Sequence, residues 1–266
     1  MTEDWIARCD LPHQSDQPRS VEADPGVDWR EESVRTRFTE LLSLGAIPDS
    51  HMVKNLPLYL RRDVLADILA VNSLYRRLLH VPGVIMEFGV QWGRRLALLV
   101  ALRELYEPRN FTRRVIGFDT FSGFPAVDHR DGGHTHVRPG GFAVSSGYDA
   151  HLEAVLEAHE EDGALGHMRR FELRSGDVRD TLPLYLDENP ETVVGLAYFD
   201  LDLYAPTKAC LELITPRLVK GSILAFDQFG QAAFPGETLA VLEAIDLAGR
   251  RFECFDYHPY PVFLVV

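Results

Sequence analysis

The stretch Val84-Ile-Met-Glu-Phe-Gly-Val-Gln-Trp-Gly-Arg-Arg95 decides the fold. Val84, Ile85, Met86 and Phe88 form an apolar run bounded by Pro82-Gly83 and Gly89, the pattern of a strand buried on both faces. Gly89 and Gly93 make a turn, and Leu96 to Tyr106 is rich in helix formers and stops before Glu107-Pro108. A second apolar run, Val115-Ile-Gly-Phe118, ends in Asp119. The unit therefore reads strand, glycine turn, helix, strand, with an acid where a ribose diol is commonly held. A dinucleotide fingerprint would read G-x-G-x-x-G, whereas Glu87 stands here at the point where a pyrophosphate would approach. A carboxylate there repels a diphosphate. A ligand with a ribose, a positive centre and no phosphate suits the turn, and S-adenosylmethionine is such a ligand.

Working outward, strands continue to alternate with helices. Tyr148 to Glu161 reads as a helix, Phe171 to Arg174 as a third strand leading to Gly176-Asp177-Val178, and Arg179 to Leu186 as a helix capped by Asp177 or Asp180. Val193 to Phe199 delivers Asp200, a helix over Thr207 to Leu218 follows with Pro206 in its first turn, and Ser222 to Phe226 delivers Asp227. After a helix from Glu237 to Ala248, Arg251 to Tyr257 and Pro261 to Val266 predict an antiparallel hairpin turning at His258-Pro-Tyr260. The fold class is α/β, a doubly wound Rossmann-like sheet closed by a C-terminal hairpin.

Ahead of the sheet, Met1 to Asp28 carries Pro12, Pro18 and Pro25 among polar residues and predicts a mobile arm. Residues 29–80 predict a helical extension with helices over Trp29 to Leu44 and Leu60 to Leu79 and a loop over Met52 to Tyr59, and 81–266 the sheet domain. Phe121 to Gly147 is glycine-rich, carries His129, His134 and His136, and is long enough to be a lid or binding loop.

The 266 residues are 46% apolar, enough for a sizeable core. With 27 basic against 40 acidic residues the formal charge is −13, which argues against nucleic-acid phosphate or an anionic membrane as partner. Cys9, Cys210 and Cys254 are scattered and suggest neither a disulfide framework nor a zinc site, so a reducing cytoplasm is expected. No run of about 18 apolar residues could span a bilayer.

The strongest signal is a coincidence of strand ends: Glu87/Gly89, Asp119, Gly176/Asp177, Asp200/Asp202 and Asp227/Gln228 all fall at the rim where open α/β sheets bind ligands. So many carboxylates on one rim repel one another unless a cation, ligand or metal, compensates them.

The ordered motifs Met86-Glu-Phe-Gly-Val-Gln-Trp-Gly93, Gly117-Phe-Asp-Thr-Phe-Ser-Gly-Phe-Pro125, Gly176-Asp-Val178, Ala197 to Lys208 (AYFDLDLYAPTK) and Gly221-Ser-Ile-Leu-Ala-Phe-Asp227 resemble the macrocin-type O-methyltransferases, which methylate sugar hydroxyls of antibiotics. Within them the similarity is nearest to the branch of the calicheamicin sugar O-methyltransferase, and it runs from about Gly83 to Glu237. It implies a seven-stranded class I methyltransferase sheet, a homodimer or larger homo-oligomer, and S-adenosylmethionine bound by Glu87, Gly89 and Gly93 at its methionine end. Asp119 would hold the ribose, with Thr120, Phe121, Ser122 and Gly123 beside it, and Asp177 and Val178 would meet the adenine. The family's magnesium would fall on Asp200, Asp227 and Gln228. Gln228 departs from the family's second Asp, removing a charge and weakening the site.

On this reading Asp200, which would also flank the cofactor, accepts the proton of the attacking hydroxyl with metal help. Without a metal, His134 or His136 becomes the base. Tyr204 is a candidate substrate contact. Two alternatives stay open: a methyltransferase of small catechol-like diols, and a cofactor-binding partner subunit without catalysis. Binding of S-adenosylhomocysteine but not NAD would also exclude an oxidoreductase.

Overall fold

The structure, a computed structural model, describes residues 29–266, so the expected arm of residues 1–28 lies outside the described residues. The chain divides into two compact units, Met1–Leu65 and Ala66–Val266.

The described residues of the first unit are mostly helical. α1 spans Trp29–Ser43 and α2 spans Asp49–Asn55, with a 3-10 turn over Leu56–Tyr59. The expected loop from Met52 is thus helical at its start. Asp49 in the first turn and Lys54 in the last complement the helix dipole, and Pro57 ends regular α geometry. α3 runs Arg62–Leu78.

In the second unit, β1 (Val84–Phe88), α4 (Arg94–Tyr106), β2 (Val115–Asp119), α5 (Tyr148–Glu161), β3 (Phe171–Ser175), α6 (Val178–Glu188), β4 (Val194–Phe199), α7 (Tyr204–Ile214), β5 (Leu218–Phe226), α8 (Pro235–Ala244), β6 (Phe252–Phe255) and β7 (His258–Val265) form a seven-stranded sheet with its helices. The strand order is β3-β2-β1-β4-β5-β7-β6, with β1 to β5 parallel and β7 antiparallel to both β5 and β6. The order reverses between β1 and β4, which opens a crevice at their carboxyl ends.

Several boundaries differ from the expectation, and three of the differences have a proline or a pairing reason. α7 stops at Ile214 because Pro216 shapes a 3-10 turn over Thr215–Arg217, which releases Leu218 into β5. α8 starts two residues early on Pro235, whose missing N–H is no loss in a first turn. The hairpin turns at Asp256-Tyr257, with Phe255 opposite His258. Pro259 and Pro261 precede Val262, where β7 begins to pair with β5, and so remove no donor from that ladder.

Each face of the sheet has its own core. On one, Phe118, Phe88, Phe199 and Phe226 form a row with centroids 5.3, 5.1 and 5.0 Å apart, each pair worth about 0.5–1.5 kcal/mol beyond its area. On the other, Ile85, Leu196 and Val115 pack with Leu74, Leu78 and Leu99 of α3 and α4. Because side chains alternate along a strand, Glu87 and Tyr198 also fall on this second face, beneath the start of α4.

Candidate active site

A cavity of about 440 Å3 opens over the carboxyl ends of β1, β2, β3 and β4. Gly89, Asp119, Thr120, Asp177, Val178 and Asp200 lie on its wall, as the sequence expects of a cofactor site, and Gly123 to Asp128, Gly141 and Phe142 wall it from the long loop. Gly89 has φ +88, and a Cβ there would stand 1.9 Å from the carbonyl oxygen of Asp200. Only glycine lets the β1 turn approach the β4 end this closely.

Asp119 organises that turn. Its Oδ2 accepts from the backbone N–H of Val90 and Gln91 at 2.7 and 2.8 Å, and its Oδ1 from Phe121 at 2.6 Å. Since a carboxylate offers about four acceptor positions, capacity remains for a ligand hydroxyl. Asp177 caps α6 through Arg179 N at 2.9 Å while facing the cavity. Gly93 lies instead against Leu152 of α5, and Phe121 packs on the adjacent core. Ser122 is exposed, and neither it nor Phe121 is on the cavity wall.

Beneath the rim, the second residue of α4 supplies a cation. Arg95 donates through Nη1 to Asp200 Oδ2 at 2.9 Å and to Glu87 Oε1 at 3.4 Å, and through Nη2 to Asp227 Oδ1 at 3.2 Å. Asp67 of α3 lies 3.8 Å from the same Nη2, and the guanidinium sits 3.8 Å from the Tyr198 ring centroid. Arg94 Nη2 pairs with Asp67 Oδ2 at 2.9 Å, so two cations face a larger number of acids. Burial pushes Glu87 up to about 8, and burial with the neighbouring Asp227 pushes Asp200 up to about 6. Burial also holds Glu237 well above the carboxylate range, where its Oε1 accepts from Gln228 N at 2.8 Å.

The residues expected to ligate magnesium do not present an open donor set. Asp200 Oδ2 and Asp227 Oδ1 are taken by Arg95, Asp227 Oδ1 also accepts from Tyr198 OH at 2.8 Å, and Gln228 Oε1 accepts from Gln231 Nε2 at 2.9 Å. Among the described residues no three or more His, Cys, Asp or Glu converge in a metal-holding group.

Asp202 is the rim acid to which the sequence reading gave a place at the strand end but no chemical role. It is 6% exposed, its φ is +60, and Leu203 N donates to Leu201 O at 2.7 Å across it. That is a classic γ-turn, a rare and strained conformation of the kind stored at functional sites. Its side chain lines the cavity, Oδ1 has no hydrogen-bond partner among the described residues, and burial together with the Asp200 charge pushes it up to about 8. The D-x-D spacing was the available signal; the turn that buries the second acid was not legible.

The other candidates lie elsewhere. His134 and His136 stack at 5.4 Å, against Phe234 at 4.7 Å and Phe142 at 4.8 Å respectively, and neither is on the cavity wall. Tyr204 is buried with its ring under Arg130 at 3.5 Å and its OH donating to Glu243 at 2.5 Å.

Comparison with known proteins accords with this geometry. The methyltransferase domain family model matches residues 86–229. The solved structure of CalS11, calicheamicin methyltransferase, is 48% identical over 90% of this chain and 93% of its own, with a TM-score of 0.88. A second CalS11 structure, described as a TDP-rhamnose 3'-O-methyltransferase of calicheamicin biosynthesis, is 44% identical over 90% and 95%, with a TM-score of 0.80. The O-methyltransferase NovP, 18% identical over 76% and 79% with a TM-score of 0.58, shares the fold. No curated protein matches. With a seven-stranded sheet, a cavity over the strands' carboxyl ends and this likeness, the chain belongs to the methyltransferase domain family and is an S-adenosylmethionine-dependent O-methyltransferase.

Proposed function

We propose that this enzyme methylates a sugar hydroxyl and that Asp202 accepts the hydroxyl proton. The observation that carries the proposal is the Asp202 carboxyl itself: buried, with Oδ1 unpartnered among the described residues, on a strained turn, and raised to about 8 at the cavity wall. A base is most effective when its pKa lies near working pH, and such a group contributes about 10²–10⁴-fold. The likeness to CalS11, which acts on TDP-rhamnose, supports a sugar acceptor carried by a nucleotide, with a glycosylated natural product as the second carrier.

Bound S-adenosylmethionine would supply an electrophilic methyl group. The chain's task is to hold a hydroxyl in line with it, which can provide about 7–11 kcal/mol of the barrier reduction. Asp119 and Gly89 would seat the cofactor. Arg95 fixes Asp200 through Oδ2, while Oδ1, which accepts from Gln228 Nε2 at 3.4 Å, keeps acceptor capacity to orient the acceptor hydroxyl. Asp202 removes the proton, and the loop wall excludes water. Asp200 remains the second candidate base, and His134 and His136 would reach the acceptor only if the loop rearranged.

The test is calorimetric titration with S-adenosylhomocysteine, with magnesium and with a chelator, followed by turnover with TDP-rhamnose read by mass spectrometry. Binding and one added methyl group support the proposal. Turnover abolished by the chelator would restore metal assistance, and absence of methylated sugar would remove the acceptor assignment. Cytoplasmic location and a homo-oligomer belong to the same proposal, the second read by light scattering.

A further inference from the structure

We propose that Asp131 is a positioning residue that ties the loop wall of the cavity to the strained turn of Asp202, so that one buried carboxylate sets both. The proposal rests on Asp202 as the proton acceptor.

Asp131 closes a short 3-10 turn, His129–Asp131, in the middle of the glycine-rich segment, and is 1% exposed. Both of its oxygens are committed, in opposite directions. Oδ1 accepts from the backbone N–H of Tyr204 at 2.7 Å, and Oδ2 accepts from the backbone N–H of Asp128 at 2.6 Å. The first bond reaches across the chain to the opening residue of α7, where Leu203 offers no side-chain cap and a negative charge is favoured by the helix dipole. The second bond holds the loop's own turn, whose other half is Asp128 accepting from Arg130 N at 2.9 Å.

The position of the first bond is what gives it functional weight. Tyr204 follows directly on Leu203, whose N–H closes the γ-turn at Asp202. A classic γ-turn persists only where its surroundings over-determine it. Asp131 pins the residue at one end of that turn, while Asp200 N, donating to Phe88 O at 2.8 Å, pins the other within the sheet. The same loop contributes Phe124 to Asp128, Gly141 and Phe142 to the cavity wall.

The start of α8 is built closely around the latch. A Cβ on Gly236 would stand 2.5 Å from Asp131 Oδ1 and 2.6 Å from Tyr204 N, so a side chain there would enter the bond itself. Arg130 adds a second tie, its guanidinium 3.5 Å over the Tyr204 ring. A loop that only covered the cavity would need neither a buried acid nor this clearance.

Two variants test the proposal, each measured for melting temperature, S-adenosylhomocysteine affinity, methyl-transfer kcat and KM, and hydrogen exchange over 121–147 and 199–206. Asp131→Ala removes both bonds. Asp131→Asn can keep the bond to Tyr204 through its amide oxygen but turns an NH2 toward Asp128 N–H. The expected result is a fall in kcat of about 10²-fold for Asp131→Ala, the scale of a misplacement of about 1 Å, with a smaller fall for Asp131→Asn. Exchange would rise at 201–204 in the alanine variant, and cofactor affinity would change less than kcat. A kcat within twofold of the parent in either folded variant overturns the proposal, as does unchanged exchange at 201–204. If Asp131→Ala fails to fold, Asp131→Asn decides by the same criteria. A parent enzyme that binds S-adenosylhomocysteine and methylates a sugar while Asp202→Asn keeps full turnover would instead remove the base assignment, a failure distinguishable from that of the latch.

Discussion

Two clusters of buried charge lie at opposite ends of the same sheet, and they are built on opposite principles. At the amino ends of the strands, Arg103, Arg113 and Arg170 meet Glu104, Glu107 and Glu160. Arg103 donates to Glu160 at 2.7 Å and to the carbonyl of Arg170 at 2.7 Å, Arg170 to Glu104 at 2.7 Å and to the carbonyl of Asn110 at 3.2 Å, and Arg113 to Val81 O at 2.8 Å. Charges balance, and the guanidinium groups also satisfy strand-end carbonyls. Although burial pushes Glu107 up, hydrogen bonds from Arg113, Tyr75 and Asn110 outweigh it and hold that carboxyl below its ordinary value.

At the carboxyl ends, Arg95 faces Glu87, Asp200 and Asp227 and shares Asp67 with Arg94, while Asp202 and Glu237 keep oxygens without partners among the described residues. Glu87, Asp200, Asp202 and Glu237 there are raised, not lowered. The foot, with Glu104 Oε2 its one oxygen without a partner among the described residues, is charge-balanced and holds the fold; the rim, with more acids than cations, is poised for a cationic ligand and a transferable proton.

The comparison breaks first, and by the largest effect, at Asp202. Asp202→Asn keeps the shape and tolerates the left-handed backbone, since Asn is among the residues that visit it readily. Its kcat should fall about 10³-fold, roughly 4 kcal/mol, while the melting temperature holds or rises because a buried carboxyl crowded by other acids is replaced by a neutral amide. Steady-state kinetics beside scanning calorimetry checks this. A loss of melting temperature without a loss of kcat would make the rim cluster structural after all.

The mirror experiment is Arg103→Met. Removing one partner from a fully buried pair leaves uncompensated charge and should cost about 3–5 kcal/mol of stability, read by urea unfolding, with kcat per folded molecule unchanged. If turnover fell instead, the two ends of the sheet would be coupled and the division between them would fail.

How much of this was legible beforehand follows from the same contrast. The strand ends announced themselves, because Glu87, Asp119, Asp177, Asp200 and Asp227 each terminate an apolar run or open the next turn. The sequence reading assigned the compensating cation at the rim to a ligand or metal, whereas the structure places Arg95 there. Arg95 was in the opening stretch all along; that it turns under the rim depends on where α4 begins, which glycine spacing leaves uncertain by a residue or two. The Asp202 turn was hidden because its cause lies at Asp131, 71 positions earlier in the sequence by residue number, through the bond to Tyr204. The foot cluster was invisible for the same reason: Arg103, Arg113, Arg170 and Glu160 meet only once β2 and β3 are side by side.

The smallest expected effect concerns the sign of the pH response. Glu87 titrates near 4.5 when unperturbed and near 8 in the fold, because burial favours its neutral form. The folded state therefore keeps a proton that the unfolded state has lost between those values. Its contribution to stability is complete below about 4.5 and disappears as pH rises through about 8. Asp202 and Asp200, raised to about 8 and about 6, act in the same direction. Glu107 at the foot, lowered, acts in the other: its contribution is present above its unfolded value and is lost as pH falls. The rim should therefore weaken toward alkaline pH and the foot toward acid. Glu87→Gln mimics the protonated form and should flatten the decline of melting temperature between pH 5 and 8 by less than the limit for one proton, about 1.36 kcal/mol per pH unit. A variant whose melting curve against pH ran parallel to the parent's would show that Glu87 is ionised in the fold, and Arg95 would then be a stronger compensator than its crowded surroundings imply.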